Sequence, residues 1–197
     1  DAVRLRKMFE YVARHMGLVT TIVLSDGSQP VGRGIGPVLE ARDVMAVLGN
    51  EPDAPMDLRD HALMLAGHVL DFDPALKGGE GFSRALEILA SGQALAAMER
   101  IIEAQGRKFP KPQLSKFHYE VKAQRDGAVR SIDCERIARI ARQAGAPMDI
   151  GAGIDLLHKV GATVHRGETL YRIYANSRTG LEFAQGLSND ASGYEIV

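Results

Sequence analysis

Apolar residues near the start of the chain recur at three- and four-residue intervals, with Leu5, Met8, Phe9, Val12 and Met16 falling on one stripe. That period predicts an amphipathic helix over residues 1–16, closed by Gly17, whose stripe needs a sheet or another helix to cover it. Residues 18–24 are instead a continuous run rich in β-branched side chains (Val19, Thr20, Thr21, Ile22, Val23), the texture of a strand buried on both faces in a parallel sheet. A parallel strand cannot stand alone, so its sheet partners are expected before Asp1 in a longer parent chain or in another molecule. Finding this segment on the outer surface would count against that reading.

A cluster of turn formers, Asp26-Gly27-Ser28-Gln29-Pro30, comes next, and Gly32, Gly34 and Gly36 precede Pro37, which opens a helix at its first position. Val38, Ala41, Met45 and Leu48 repeat on one face of that helix, and Gly49-Asn50 ends it. Three further helices are predicted: one capped by Asp57 and running to Leu70, one from Ser83 to near Ala90, and one from Ser91 to Gln105 with Leu95, Met98, Ile101 and Ile102 inward. Residues 107–116 contain Pro110 and Pro112 among basic residues, lack periodicity, and are expected to link two domains.

Beyond the linker the period falls to two. Phe117, Tyr119 and Val121 alternate with polar residues, and Asp126-Gly127 supplies a hairpin turn into residues 129–132. Asp133 caps a helix carrying Ile137, Ile140 and Ala141, followed by a loop of small residues over 145–153. Strands are expected at 154–157, 163–164, 170–174 and 194–197, with a short helix at 181–187. The fold class is therefore α/β plus α+β: residues 1–106 as the last part of an α/β domain with covering helices, and residues 117–197 as a mostly antiparallel α+β domain.

Composition narrows the function classes. With 197 residues, 45% of them hydrophobic, the chain can bury its own core. Lys and Arg number 24 against 25 Asp and Glu, so no global field recruits nucleic acid or an anionic membrane, and neither partner is expected. A single cysteine, Cys134, and the lack of a long apolar run fit a cytoplasmic protein. The chain opens on Asp1 inside a helical pattern, as expected of a fragment or a processed product.

Several motifs admit a functional and a structural reading. The Gly32-Arg33-Gly34-Ile35-Gly36-Pro37 run follows the presumed strand and precedes a helix, where bare amides could approach an anion, but its spacing is that of neither standard phosphate fingerprint, so turn formation is favoured. The Lys77-Gly78-Gly79-Glu80-Gly81 run lies between helices and contains a carboxylate that repels anions, which makes it a connection. His61 and His68 are seven apart rather than four, with Asp71 and Asp73 following, and are expected to be partly exposed rather than metal ligands. Cys134 sits in a first helical turn without a basic partner nearby, and His118 and His165 stand outside any motif. Residues 159–170 contain two glycine turns like those of biotinyl and lipoyl carriers, with Lys159 at the carrier position, but without Met-Lys-Met surroundings; a structural β-corner is favoured.

Two separated segments resemble one family in order and spacing. Residues 25–41, Ser-Asp-Gly-Ser-Gln-Pro-Val-Gly-Arg-Gly-Ile-Gly-Pro-Val-Leu-Glu-Ala, are similar to the segment of thymidine (pyrimidine-nucleoside) phosphorylases in which an Asp-x-x-Gln-Pro turn leads through glycines into a helix. Residues 152–175 resemble the C-terminal domain of the same family, with support from Gly127-Ala128-Val129 and Ile137-Ala138. The resemblance implies a transferase that splits a pyrimidine nucleoside with inorganic phosphate as co-substrate, acting as a homodimer on a small-molecule nucleoside. It also implies a Lys-x-Ser-x-Gly-Gly phosphate loop and a base-binding set of Arg, Ser and Lys; this chain contains no such loop, and none of its residues is assigned a catalytic or substrate-binding role. A structural monovalent or calcium ion is further implied, held by the carbonyls of Val31 and Gly34 and the carboxylate of Asp43, where Asp replaces a longer Glu. The Asp-Gly-Ser-Gln-Pro-x-Gly-Arg-Gly-x-Gly-Pro form is also similar to AMP phosphorylases, so the substrate stays open between a nucleoside and a nucleoside 5'-monophosphate. A phosphoribosyltransferase of the anthranilate type is a rival of related fold that would lack the C-terminal domain, and a carrier or interaction module on residues 117–197 is a rival of another class.

Overall fold

The computed structural model describes residues 1–76 and 78–197. The first helix forms as expected, α1 at Ala2–His15, but only Ala13 on it is buried. Its apolar stripe faces outward, with Leu5, Met8, Phe9, Val12 and Met16 each more than half exposed. Residues 18–24 are not a strand, and Val19 is 84% exposed. No parallel pairing occurs among the described residues, where every strand pairing is antiparallel. β-Branched content favours extended backbone, but a ladder needs a neighbour to bond with, and no described strand lies beside this segment.

The glycine run contributes β1 (Gly34–Ile35), followed by α2 (Pro37–Leu48), α3 (Met56–Leu70), α4 (Glu80–Ala90) and α5 (Gln93–Ala104). Pro37 opens α2 as predicted. The buried face of α2 is Leu39, Asp43, Ala46 and Val47, none of them among the expected Val38, Ala41, Met45 and Leu48. A polar Asp at the centre of the buried stripe hid it from a hydrophobicity pattern. On α3, Asp57 lies in the first turn rather than at the cap, which is Pro55. Helix α4 starts at Glu80, ahead of the expected Ser83, with Gly79 at its cap in a left-handed conformation. Helix α5 buries none of its residues fully, and Ile101 is 51% exposed, so its expected inward face is only partly covered. Leu63, Ala85 and Leu89 join Ala46 and Val47 in a small helical core.

The second half buries the larger core. Strands β2 (Phe117–Lys122), β3 (Gly127–Ile132), β4 (Gly153–Leu156), β5 (Thr163–Val164), β6 (Thr169–Ala175) and β7 (Tyr194–Ile196) build two sheets ordered β1-β4-β6-β2 and β5-β3-β7. The expected β2–β3 hairpin does not form, because the two strands belong to different sheets. Residue Ala123 bonds instead to the turn before β6, donating to Glu168 and accepting from Gly167 at 2.8 Å each, so the chain bends away into the second sheet. Helices α6 (Cys134–Ala144) and α7 (Arg178–Asp190) cover the larger sheet. Asp133 caps α6 by accepting the Arg136 amide, as predicted, and Ser177 caps α7 by accepting the Gly180 amide, ahead of the expected start at Leu181. Arg136 then donates to the Leu187 and Ala191 carbonyls at the end of α7, where a cation also meets the negative end of the helix dipole.

Ile137, Ile140, Ile154, Leu156, Tyr171 and Ile173 are fully buried and form the centre of the main core. Each contributes roughly 1.5–3 kcal/mol by leaving water. Tyr171 stacks on Tyr194 at 5.6 Å, and their hydroxyls donate to the Ser192 and His158 carbonyls, so burial that pushes both phenols up in pKa leaves neither without a partner. The α+β expectation for the second half is met. No helix among the described residues is long and apolar enough to cross a membrane.

Candidate functional site: the glycine turn and its clamps

The turn at residues 30–36 joins the helical layer to the sheet. Strand β1 pairs antiparallel with β4, Gly34 opposite Asp155 and Ile35 opposite Ile154. The closeness of that junction explains two of its glycines. A Cβ on Gly34 would lie 2.5 Å from the Leu39 backbone. One on Gly36, whose φ is +121°, would lie 2.4 Å from the Ala152 carbonyl oxygen. These positions therefore serve close packing, and no anion is needed to explain them.

Asp43, 1% exposed, holds the turn from below. Its Oδ2 accepts the amides of Arg33 and Gly34, each at 2.7 Å. Its Oδ1 accepts Arg42 Nε at 3.0 Å and Nη2 at 2.8 Å. The Arg42 guanidinium also forms a bidentate pair with Asp155 on β4, at 2.8 and 2.9 Å, which ties α2 to the sheet. Its pKa is raised, chiefly by the Asp155 bond against the cost of burial, with Asp43 adding to it.

A second clamp crosses in the opposite direction. Lys159, on the loop after β4, donates its ammonium to the Pro30 carbonyl, to the Gly32 carbonyl at 2.6 Å and to Asp57 Oδ2 at 2.9 Å. Asp57 Oδ2 also accepts the Gly32 amide at 3.1 Å, and Oδ1 the Leu58 amide at 2.9 Å. Burial pushes the Asp57 carboxyl up, but the Lys159 bond and charge, with the two amides, outweigh it and leave the pKa lowered. Beside the ammonium, Gln29 Oε1 accepts the Val160 amide at 2.9 Å.

The three residues expected to bind a cation, Val31, Gly34 and Asp43, do come together, around a cleft of about 330 Å³. A carboxylate has about four lone-pair positions, and those of Asp43 meet the Arg33 amide, the Gly34 amide and two guanidinium nitrogens. The donor set therefore does not fit a calcium or monovalent ion as it stands. Among the described residues no group of three or more His, Cys, Asp or Glu side chains is arranged to hold a metal.

The other candidates stay apart from this site. His61 and His68 are partly buried on α3. Asp71, at the end of that helix, accepts the Gly81 amide at 3.0 Å, and Asp73 accepts the Ala75 amide at 2.9 Å. The second glycine run begins at Lys77, which lies outside the described residues; Gly78 and Gly79 precede α4, and Glu80 and Gly81 are its first two residues. Cys134 is half-buried, its thiol against the Gly27 carbonyl. His118 is exposed beside Tyr174, and the His165 ring lies 3.6 Å from Asp126. Lys159 is not a free carrier tip, since its amine is held by the acceptors above. Sequence reasoning missed its pairing with Asp57 and that of Arg42 with Asp155, because the partners lie far apart in the chain and carry no local pattern.

The class defined by this arrangement is an antiparallel α+β domain fastened to a helical layer through one clamped turn. Residues 128–195 match the family described as the pyrimidine nucleoside phosphorylase C-terminal domain. Proteins named "Putative thymidine phosphorylase" from Rhodopseudomonas palustris and Methylococcus capsulatus are each 54% identical to this chain over 196 residues, covering 100% of it and 38% of their own length. One of the same name from Bradyrhizobium diazoefficiens is 50% identical over the same extent. The chain belongs to the thymidine (pyrimidine-nucleoside) phosphorylase family and carries its C-terminal domain. It spans 38% of the length of the curated relatives it matches.

Proposed function

We propose that this chain is part of an enzyme that cleaves a pyrimidine nucleoside with inorganic phosphate, giving the free base and a pentose 1-phosphate. The observation that carries the reading is the match of the whole chain to relatives bearing the thymidine phosphorylase name, at 54% identity. In this reading residues 1–106 belong to the phosphorylase domain, residues 107–116 link, and residues 117–197 are the C-terminal domain of a homodimer. Phosphate attacks the anomeric carbon as the base departs, so the enzyme gains most from aligning the phosphate and stabilising charge on the leaving base. This chain's own contribution is mechanical. The β1–β4 pairing, the Arg42–Asp155 pair and the Lys159 clamp make the turn move as one piece with the sheet, so a displacement of the C-terminal domain is transmitted to α2 and α3.

The test is phosphorolysis by the intact parent, with thymidine, uridine and AMP compared as substrates and free base measured in the presence and absence of inorganic phosphate. Phosphate-dependent release of thymine or uracil is the expected result, and this chain alone releases none. A preference for AMP would move the substrate to the nucleoside monophosphate, which the Asp26–Pro37 pattern favours as a second reading. Failure of the intact parent on all three would refute the proposal.

A further inference from the structure

The turn at residues 30–34 is walled by outward-pointing oxygens, the Pro30 and Gly32 carbonyls, with the Asp57 carboxylate beside them. Such a cradle attracts a cation. We propose that the cation organising this turn is the Lys159 ammonium, supplied by the chain itself in place of a metal ion. An ammonium has three N–H donors and no acceptor, and the Pro30 carbonyl, the Gly32 carbonyl and Asp57 Oδ2 are one acceptor for each. One positive charge meets one carboxylate and the negative ends of two carbonyl dipoles.

The alternatives fit worse. Calcium takes six to eight oxygens, whereas these acceptors supply one charged oxygen and two neutral ones. The neighbouring carboxylate, Asp43, cannot complete a shell, since its lone pairs are directed at two amides and the Arg42 guanidinium. A free ion would also have to displace a tethered one. Lys159 stands on a corner fixed by the Val160 amide on Gln29 and by the β4–β6 ladder, so its effective concentration at the cradle is high and little ordering is left to do. The ammonium is also directional where a metal is not. It fixes the two carbonyls and Asp57 at once, which joins the turn, α3 and the sheet at a single atom.

The experiment is thermal unfolding of this chain at constant ionic strength. In the wild type, potassium or calcium chloride exchanged for tetramethylammonium chloride is expected to leave Tm unchanged. Lys159→Met should lower Tm by roughly 4–10 °C, the loss of charge-assisted bonds in a chain of this size. Lys159→Ala should regain stability saturably with n-propylammonium, which restores the N–H donors, but not with tetramethylammonium, which carries the same charge without them. If Lys159→Ala does not fold, recovery of folded protein on refolding with and without n-propylammonium replaces the Tm reading. Asp57→Asn should lower Tm in the wild type and by less in Lys159→Met. Saturable stabilisation of the wild type by potassium or calcium would overturn the proposal, as would a Lys159→Met variant with wild-type Tm, equal rescue by both alkylammonium ions, or strictly additive Lys159 and Asp57 effects.

Discussion

Replacing Asp43 with Ala removes one carboxylate and affects three other groups. The Arg33 and Gly34 amides lose their acceptor in a region where Asp43 is 1% exposed, and Arg42 loses one of its two carboxylate partners while keeping Asp155. A buried donor left without a partner costs about 1–3 kcal/mol. The Gly34 amide is buried and pays most of that, whereas the Arg33 amide, less deeply placed, pays the lower end. Arg42 is part-exposed and its remaining pair is bidentate, so water and Asp155 absorb much of its loss. The sum is about 2–5 kcal/mol. Asp43→Asn keeps an oxygen for the amides but turns an NH₂ toward the guanidinium, so its cost should be smaller, about 1.5–3 kcal/mol. The assay is urea unfolding of this chain, reading the midpoint at unchanged m-value, in buffers of equal ionic strength with and without potassium or calcium. If Asp43→Ala unfolds within about 0.5 kcal/mol of the wild type, the size of an ordinary surface change, the carboxylate does not hold the turn. If the cost appears only when potassium or calcium is present, Asp43 acts as a metal ligand and the hydrogen-bond account is wrong.

Three further outcomes follow from the same geometry. Gly36→Ala combines a φ of +121° with a Cβ 2.4 Å from the Ala152 oxygen, so it should cost at least the roughly 1–3 kcal/mol of a strained backbone; a Tm equal to the wild type would refute the β1–β4 contact. Asp57 has a lowered pKa in the folded state, so its stabilising effect is present above its ordinary value of 3.8 and is lost as the pH falls through the lower folded value. The urea midpoints of wild type and Asp57→Asn should therefore differ at pH 6 and converge below pH 3.8, and a gap independent of pH would contradict the ion pair. Phe9 is 58% exposed, so Phe9→Gln should change the stability of this chain by no more than about 0.5 kcal/mol; a large loss in chemical denaturation would mean that the α1 stripe is covered in solution.

Reading the sequence was most successful where a local rule sufficed. Pro37 at the start of α2, Asp133 at the cap of α6 and the alternation through β2 all formed as their residue types require. It failed where a partner decided the outcome. The Asp126-Gly127 pair turns the chain, but the hydrogen bonds of Ala123 to residues 167 and 168 send β3 into another sheet. Residues 18–24 have the composition of a buried strand and no described strand to pair with. The site was half legible: Val31, Gly34 and Asp43 were placed together by the family resemblance, while Arg42, Asp57, Asp155 and Lys159 were not assigned to it.

By itself the sequence determined helix starts, extended segments, the antiparallel α+β texture of the second half and, through two motif-bearing segments, the family. These depend on backbone preferences and side chains within a few positions of one another. Tertiary structure alone decided which face of α2 is buried, which strands share a sheet, and which cations meet Asp43, Asp57 and Asp155. Such pairings join residues far apart in the chain, Arg42 and Asp155 being separated by 113 positions. The physical reason is that a charge or a backbone amide is satisfied by whatever group the fold brings within about 3 Å, and no local pattern records which group that is.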